Sequence, residues 1–159
     1  MRDEDEWRRR GPFPPVTTDQ IRQAAAEIAE YPGVQAVYLF GSRVWGSTRS
    51  SSDIDLAVWI EPCVQGRQPV GLASEMASKV EDRLGVATDV VLLSRDLPLG
   101  LLFDIFRVEM ILWTRDAERA HDYACRARLA YRDELPRFDR NHASVVQRSK
   151  ERARALDRA

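Results

Sequence analysis

Two aspartates one residue apart, Asp53 and Asp55, end the stretch GSRVWGSTRSSSDIDL at residues 41–56. In DIDLAVWI (53–60), Asp53, Asp55, Ala57 and Trp59 alternate with Ile54, Leu56, Val58 and Ile60, which is the pattern of a strand. Both carboxylates therefore lie on one strand face, where like charges repel unless a cation lies between them. Hard oxygen donors of this kind suit magnesium, which takes one or two carboxylates and keeps its waters and substrate phosphates. A third aspartate, Asp89, begins another strand-like run, TDVVLLS (88–94). A carboxylate on a neighbouring strand can hold a second ion or take the proton of an incoming hydroxyl. Asp53, Asp55 and Asp89 are thus candidate metal ligands and catalytic groups for a two-metal, in-line displacement at phosphorus. Taken alone, Asp89 reads first as a turn or cap residue, the usual role of an aspartate at a strand terminus.

The loop ahead of the pair adds anion-binding features. Gly41 permits close backbone approach, and successive N–H groups beside it can cradle an anion. The Ser42 hydroxyl can donate to a phosphate oxygen, and Arg43 and Arg49 supply positive charge. A short helix from Val44 would aim its N-terminus at the same anion. The loop lacks GxxxxGK[ST], and the chain has no GxGxxG, so this is neither a P-loop nor a dinucleotide fingerprint.

These groups need elements to position them. Thr17, Thr18 or Asp19 can cap a helix whose apolar stripe is Ile21, Ala25 and Ile28, ended by Pro32 and Gly33. VQAVYLF (34–40) has strand composition. Leu72, Met76, Val80 and Leu84 recur every four residues and predict a helix that stops at Gly85. A short helix over 98–107, a strand over 109–114 and a helix over 116–134 that stops before Pro136 complete the order. The stripe of that last helix is Ala120, Ala124, Ala127 and Tyr131. This succession predicts an α/β (α+β) domain: a small mixed sheet with helices packed on one face and the active site on the open face. Residues 1–16, rich in charge and proline, read as a flexible tail, 17–136 as the domain, and 137–159 as an Arg-rich, partly helical segment suited to partner binding.

Composition narrows the function classes. Lys and Arg total 24 against 25 Asp and Glu, so no global field draws nucleic acid, and direct nucleic-acid binding is not expected. Cys63 and Cys125 have no metal or redox spacing and read as free thiols. No run has transmembrane length and the first ten residues lack the apolar stretch of a signal peptide, so a soluble cytoplasmic protein is the expectation. His121 and His142 are too isolated for a zinc site, Trp45 reads as a loop anchor or as a group that stacks on adenine or faces a partner, Trp59 and Trp113 as core or rim, and Tyr123 and Tyr131 as packing residues.

The spacing GS, ten residues, then DxD resembles the signature of the polymerase-beta-like nucleotidyltransferases, with Gly41, Ser42, Asp53 and Asp55 in the matching positions and Asp89 fitting the third carboxylate. Over about residues 17–138 the chain is similar to one branch, the minimal nucleotidyltransferases (MNT) that act as antitoxins in HEPN–MNT toxin–antitoxin pairs; IFRVEMILWTRD and YRDELPRF look like the end of those proteins. The resemblance implies the polymerase-beta-like fold. It also implies ATP held over Gly41 and Ser42, two Mg2+ ions on Asp53, Asp55 and Asp89, and AMP transfer to a tyrosine of a HEPN ribonuclease with release of pyrophosphate. A hetero-oligomer with that toxin follows. The competing readings are a transferase acting on a small molecule such as an aminoglycoside or on an RNA end, and an antitoxin that works by contact alone.

Overall fold

The computed structural model describes residues 15–44, 52–61, 69–94 and 97–156. Helix α1 (Thr18–Ile28) begins with a capping box: the Thr17 hydroxyl accepts from the Gln20 amide at 3.2 Å, and the Gln20 side chain accepts from the Thr17 amide at 2.8 Å. Its stripe of Ile21, Ala24, Ala25 and Ile28 is buried. Strands β1 (Val34–Phe40) and β2 (Ile54–Ile60) follow, then helix α2 (Pro69–Leu84), which Gly85 ends at φ 69. Strand β3 (Thr88–Leu93), helix α3 (Leu99–Arg107), strand β4 (Met110–Thr114) and helix α4 (Ala117–Leu156) complete the chain.

The four strands form one mixed sheet in the order β3-β2-β1-β4. β1 pairs antiparallel with β2 and with β4, while β2 and β3 run parallel, joined through the α2 crossover. β1 lies in the middle, and Val34 to Leu39 are all buried.

Strand alternation gives each face its own core. Val37, Leu39, Ile54, Leu56 and Val58 point to one side and pack with Ile21, Ala25 and Ile28 of α1 and Met76 and Val80 of α2. Ala36, Tyr38, Ala57 and Leu93 point to the other side, against Leu102, Ile105 and Phe106 of α3 and Ala120 and Ala124 of α4. The small alanines let α4 approach closely. The Tyr38 hydroxyl donates to the Ala120 carbonyl at 3.0 Å, and its ring meets Phe106 edge-on with centroids 5.0 Å apart. Burial, with the Glu109 charge as a second cause, pushes the Tyr38 phenol well above its ordinary range, so it serves as a neutral donor.

A mixed sheet with flanking helices agrees with the sequence reading, but two particulars differ. Helices cover both faces, and among the described residues the exposed Asp53 and Asp89 lie at the end of the second face. The clue lay in β2, whose Asp53 face turns apolar at Ala57 and Trp59: a strand apolar on both sides needs cover on both. The expected stop before Pro136 is also absent, because α4 continues through that residue to Leu156. Proline removes one intrahelical donor and crowds the preceding turn, yet the helical pattern on either side carries the helix past it.

Candidate active site

The sheet register brings two of the three aspartates together directly. Asp55 is the partner of Phe40 across the antiparallel β1–β2 pair and of Asp89 across the parallel β2–β3 pair. All three positions share the face that carries Ala57 and Leu93, at the end of the sheet where β1 finishes and β2 and β3 begin. Asp53 precedes β2 by one residue and is exposed, as is Asp89, whereas Asp55 is half-buried. The start of β3 is fixed locally: the Thr88 amide donates to the Glu81 carboxylate of α2 at 2.9 Å, and the Ile54 amide donates to the Ala87 carbonyl at 2.9 Å.

Gly41 closes the site from the β1 side. Its φ is 76, in the left-handed region, and a β-carbon there would lie 2.9 Å from Cγ of Asp55, nearer still to its carboxylate oxygen. Glycine is therefore required twice, for backbone conformation and for room. The Val44 amide bonds back to the Gly41 carbonyl at 3.1 Å, so residues 41–44 form a turn over the Asp55 carboxylate, with Ser42 half-buried in it.

The electrostatics follow from this crowding. Burial raises the Asp55 pKa above its ordinary 3.8, the charges of Asp89 and then Asp53 raise it further, and Arg43 opposes them. The Arg43 guanidinium binds backbone carbonyls: Nε and Nη2 donate to Ser52 at 3.0 and 2.6 Å, Nε reaches the Asp53 carbonyl at 3.3 Å, and Nη1 reaches Val16 at 3.5 Å. Arg43 thus ties both ends of the 41–53 loop to the segment ahead of α1. No feature of the sequence announces a carbonyl partner, so its spacing suggested only added positive charge.

Among the described residues, no three His, Cys, Asp or Glu side chains converge as a preformed metal cage. The donor set still suits magnesium, since Mg2+ is ordinarily held by one or two carboxylates together with water and substrate phosphate, and the mutual repulsion around Asp55 is what a cation would relieve. Arg49, Trp45 and Cys63 lie outside the described residues, as do the side chains from Arg137 onward. Trp59 stacks on Tyr123 at 4.9 Å, and Tyr131 stacks on Phe103 at 4.2 Å, both as packing residues. His121 bonds through Nδ1 to Glu109.

The sequence pattern of the family described as "Polymerase beta, Nucleotidyltransferase" matches residues 22–118. No curated protein matches the chain. Among solved structures, a toxin–antitoxin crystal structure with AMP-PNP is 22% identical with a TM-score of 0.65, over 82% of this chain and 99% of that one. The toxin–antitoxin MntA-HepT is 21% identical with a TM-score of 0.60, over 81% of this chain and 96% of that one. A tri-AMPylated Shewanella oneidensis HEPN toxin in complex with MNT antitoxin contains a chain 19% identical with a TM-score of 0.55, over 82% of this chain and 92% of that one. At these identities the structural likeness is one of fold alone.

Proposed function

This chain belongs to the polymerase beta nucleotidyltransferase family, and from that premise we propose that it is an antitoxin that transfers AMP from ATP to a tyrosine hydroxyl of a cognate HEPN-domain ribonuclease toxin. The observation that carries the reading is the in-register pair Asp55–Asp89, with Asp55 packed against Gly41. The similar folds include an antitoxin complex solved with AMP-PNP and one in which the HEPN toxin carries AMP. Those facts belong to those proteins, and they indicate which acceptor to test here.

In this mechanism the turn at Gly41 and Ser42 offers backbone and hydroxyl donors to the triphosphate. Arg43 holds the loop ends in place and moderates the negative charge on Asp55, and Arg49 adds charge to the same loop. Asp53 and Asp55 would hold Mg2+, with Asp89 available to a second ion; bound magnesium would supply charge neutralisation at the phosphates. Asp89, exposed at the rim beside Asp55, accepts the proton of the tyrosine hydroxyl, whose ordinary pKa near 10 leaves it a weak nucleophile without a base. The phenolic oxygen bonds to the α-phosphorus, the bond to the bridging oxygen breaks, and pyrophosphate leaves with that electron pair.

Incubation of the protein with its toxin, ATP and magnesium, followed by intact-mass spectrometry, tests the reading. The toxin should gain about 329 Da per AMP. A toxin that stays unmodified yet is blocked one-to-one would replace transfer by neutralisation through contact. Transfer to an RNA end or to a small molecule, with the toxin untouched, would replace the acceptor.

A further inference from the structure

Away from the aspartates, four side chains of α4 and the turn before β4 form a chain of hydrogen bonds. The Cys125 sulfur lies 3.4 Å from Nε2 of His121, one helical turn earlier. Nδ1 of the same ring lies 2.9 and 3.0 Å from the two carboxylate oxygens of Glu109. Arg128 donates through Nη2 to the Cys125 sulfur at 3.3 Å and to Glu109 at 3.2 Å, while its Nη1 is anchored on the Phe106 carbonyl at 2.9 Å. Burial pulls the Arg128 pKa down, but its bonds to Cys125 and Glu109 outweigh that, so the guanidinium stays charged beside the sulfur.

The geometry assigns the ring's proton. A carboxylate only accepts, so the nitrogen facing Glu109 carries the hydrogen, and Nε2 is left to accept from the thiol. A nucleophile within reach of a base, and a base oriented by a third group, is the arrangement that activates a thiol. Cys125 is a half-buried free thiol, and the His121 side chain is 61% exposed, so the sulfur can be approached past the ring.

We propose that Cys125 is the nucleophile of a Cys125–His121–Glu109 triad and that its reaction partner is a low-molecular-weight disulfide. Disulfide exchange asks little more of a protein than an activated sulfur and a proton for the leaving group, whereas acyl transfer also needs donors aimed at an oxyanion. The Cys125 proton passes to Nε2 of His121. The sulfur attacks one sulfur of the disulfide, a new S–S bond joins Cys125 to that half, and the old S–S bond breaks. The other half departs as a thiolate and takes the proton from His121. Cys125 is oxidised, and the departing thiol is the reduced product.

Glutathione disulfide is the probe, with adduct formation followed by intact mass at neutral pH. Peptide mapping of the unaltered protein should find the adduct on Cys125. In a Cys63→Ser protein, the rate should exceed that of free cysteine by about tenfold or more. His121→Gln should return it toward the free-cysteine rate, with Glu109→Gln falling between. A Cys63→Ser protein no faster than free cysteine, an adduct found on Cys63 alone, or a rate indifferent to His121→Gln would each overturn the proposal. The comparison with free cysteine needs no change within the triad.

Discussion

At the scale of single residues, the Gly41–Asp55 contact makes the sharpest demand. Gly41→Ala imposes a left-handed backbone on an L side chain and drives its β-carbon into the Asp55 carboxylate. It should destabilise the protein by about 1–2 kcal/mol from backbone strain alone and weaken ATP binding, as read by urea unfolding and calorimetry. Combining it with Asp55→Ala should cost less than the sum, since the second change removes the carboxylate with which the first collides. Asp55 itself predicts a pH effect. Its folded-state pKa lies above the ordinary 3.8, so the folded state holds this proton more tightly than the unfolded one. Stability from this group is full below 3.8 and is lost as pH rises through the raised value. Without nucleotide and metal, Asp55→Asn should therefore gain on the unaltered protein as pH rises from the acid range, and hold a constant offset below it. Urea unfolding across a pH series would show a flat difference throughout if neither burial nor the neighbouring carboxylates raised the Asp55 pKa. Asp89→Asn separates chemistry from folding: transfer should drop by roughly a hundredfold or more in initial-rate mass spectrometry, with thermal stability unchanged or raised. The neighbourhood of Asp55, Asp89 and Gly41 was legible because each residue type carries its chemistry at a telling place, and the fold puts these three side by side. The carbonyl clamp of Arg43 and the bond from His121 to Glu109 were not, because they join segments that only the fold brings together.

At the scale of elements, the periodic segments were readable and their covering was less so. The stripe of α1, the four-residue repeat of α2 and the alternation of β2 each state which side is apolar. They do not state how many layers lie above that side, and the same alanine spacing that marks α4 as a helix also makes it a close-packing cover for Tyr38 and Ala57. Pro136 marks a stop by residue type alone, but proline is costly inside a helix without being forbidden there. That cost is measurable. Pro136→Ala restores a backbone donor and removes the crowding, and should stabilise α4 by about 1–3 kcal/mol, seen as greater helical ellipticity and a higher midpoint. An unchanged spectrum would mean that the turn around Pro136 gains nothing from the missing bond.

At the scale of the whole molecule, the described side chains of α4 that meet the rest of the fold include Tyr131, stacked on Phe103. Ala120, Tyr123, Ala124 and Ala127 contact the sheet-side core, and Arg128 fastens the helix to Phe106 and Glu109. Residues 129–156 then continue as helix for about 40 Å at 1.5 Å per residue. A chain ending after Pro136 should keep its fold and its ATP affinity but bind the toxin more weakly in a pull-down; full complex formation by the shortened chain would return this segment to solvated surface. The sheet order also sets a timetable for synthesis. β1 is the central strand, but its second neighbour, β4, lies some seventy residues later in the chain. While the chain emerges from the ribosome, β1 can pair with β2, and β2 with β3, before the other edge of β1 has a partner. Until residue 114 is made, that edge, in a strand whose every side chain from Val34 to Leu39 is destined for the interior, stands open to any other strand that meets it. A chaperone that binds extended apolar segments would find its target during this interval, and a synonymous codon change that slows translation between β3 and β4 would lengthen it.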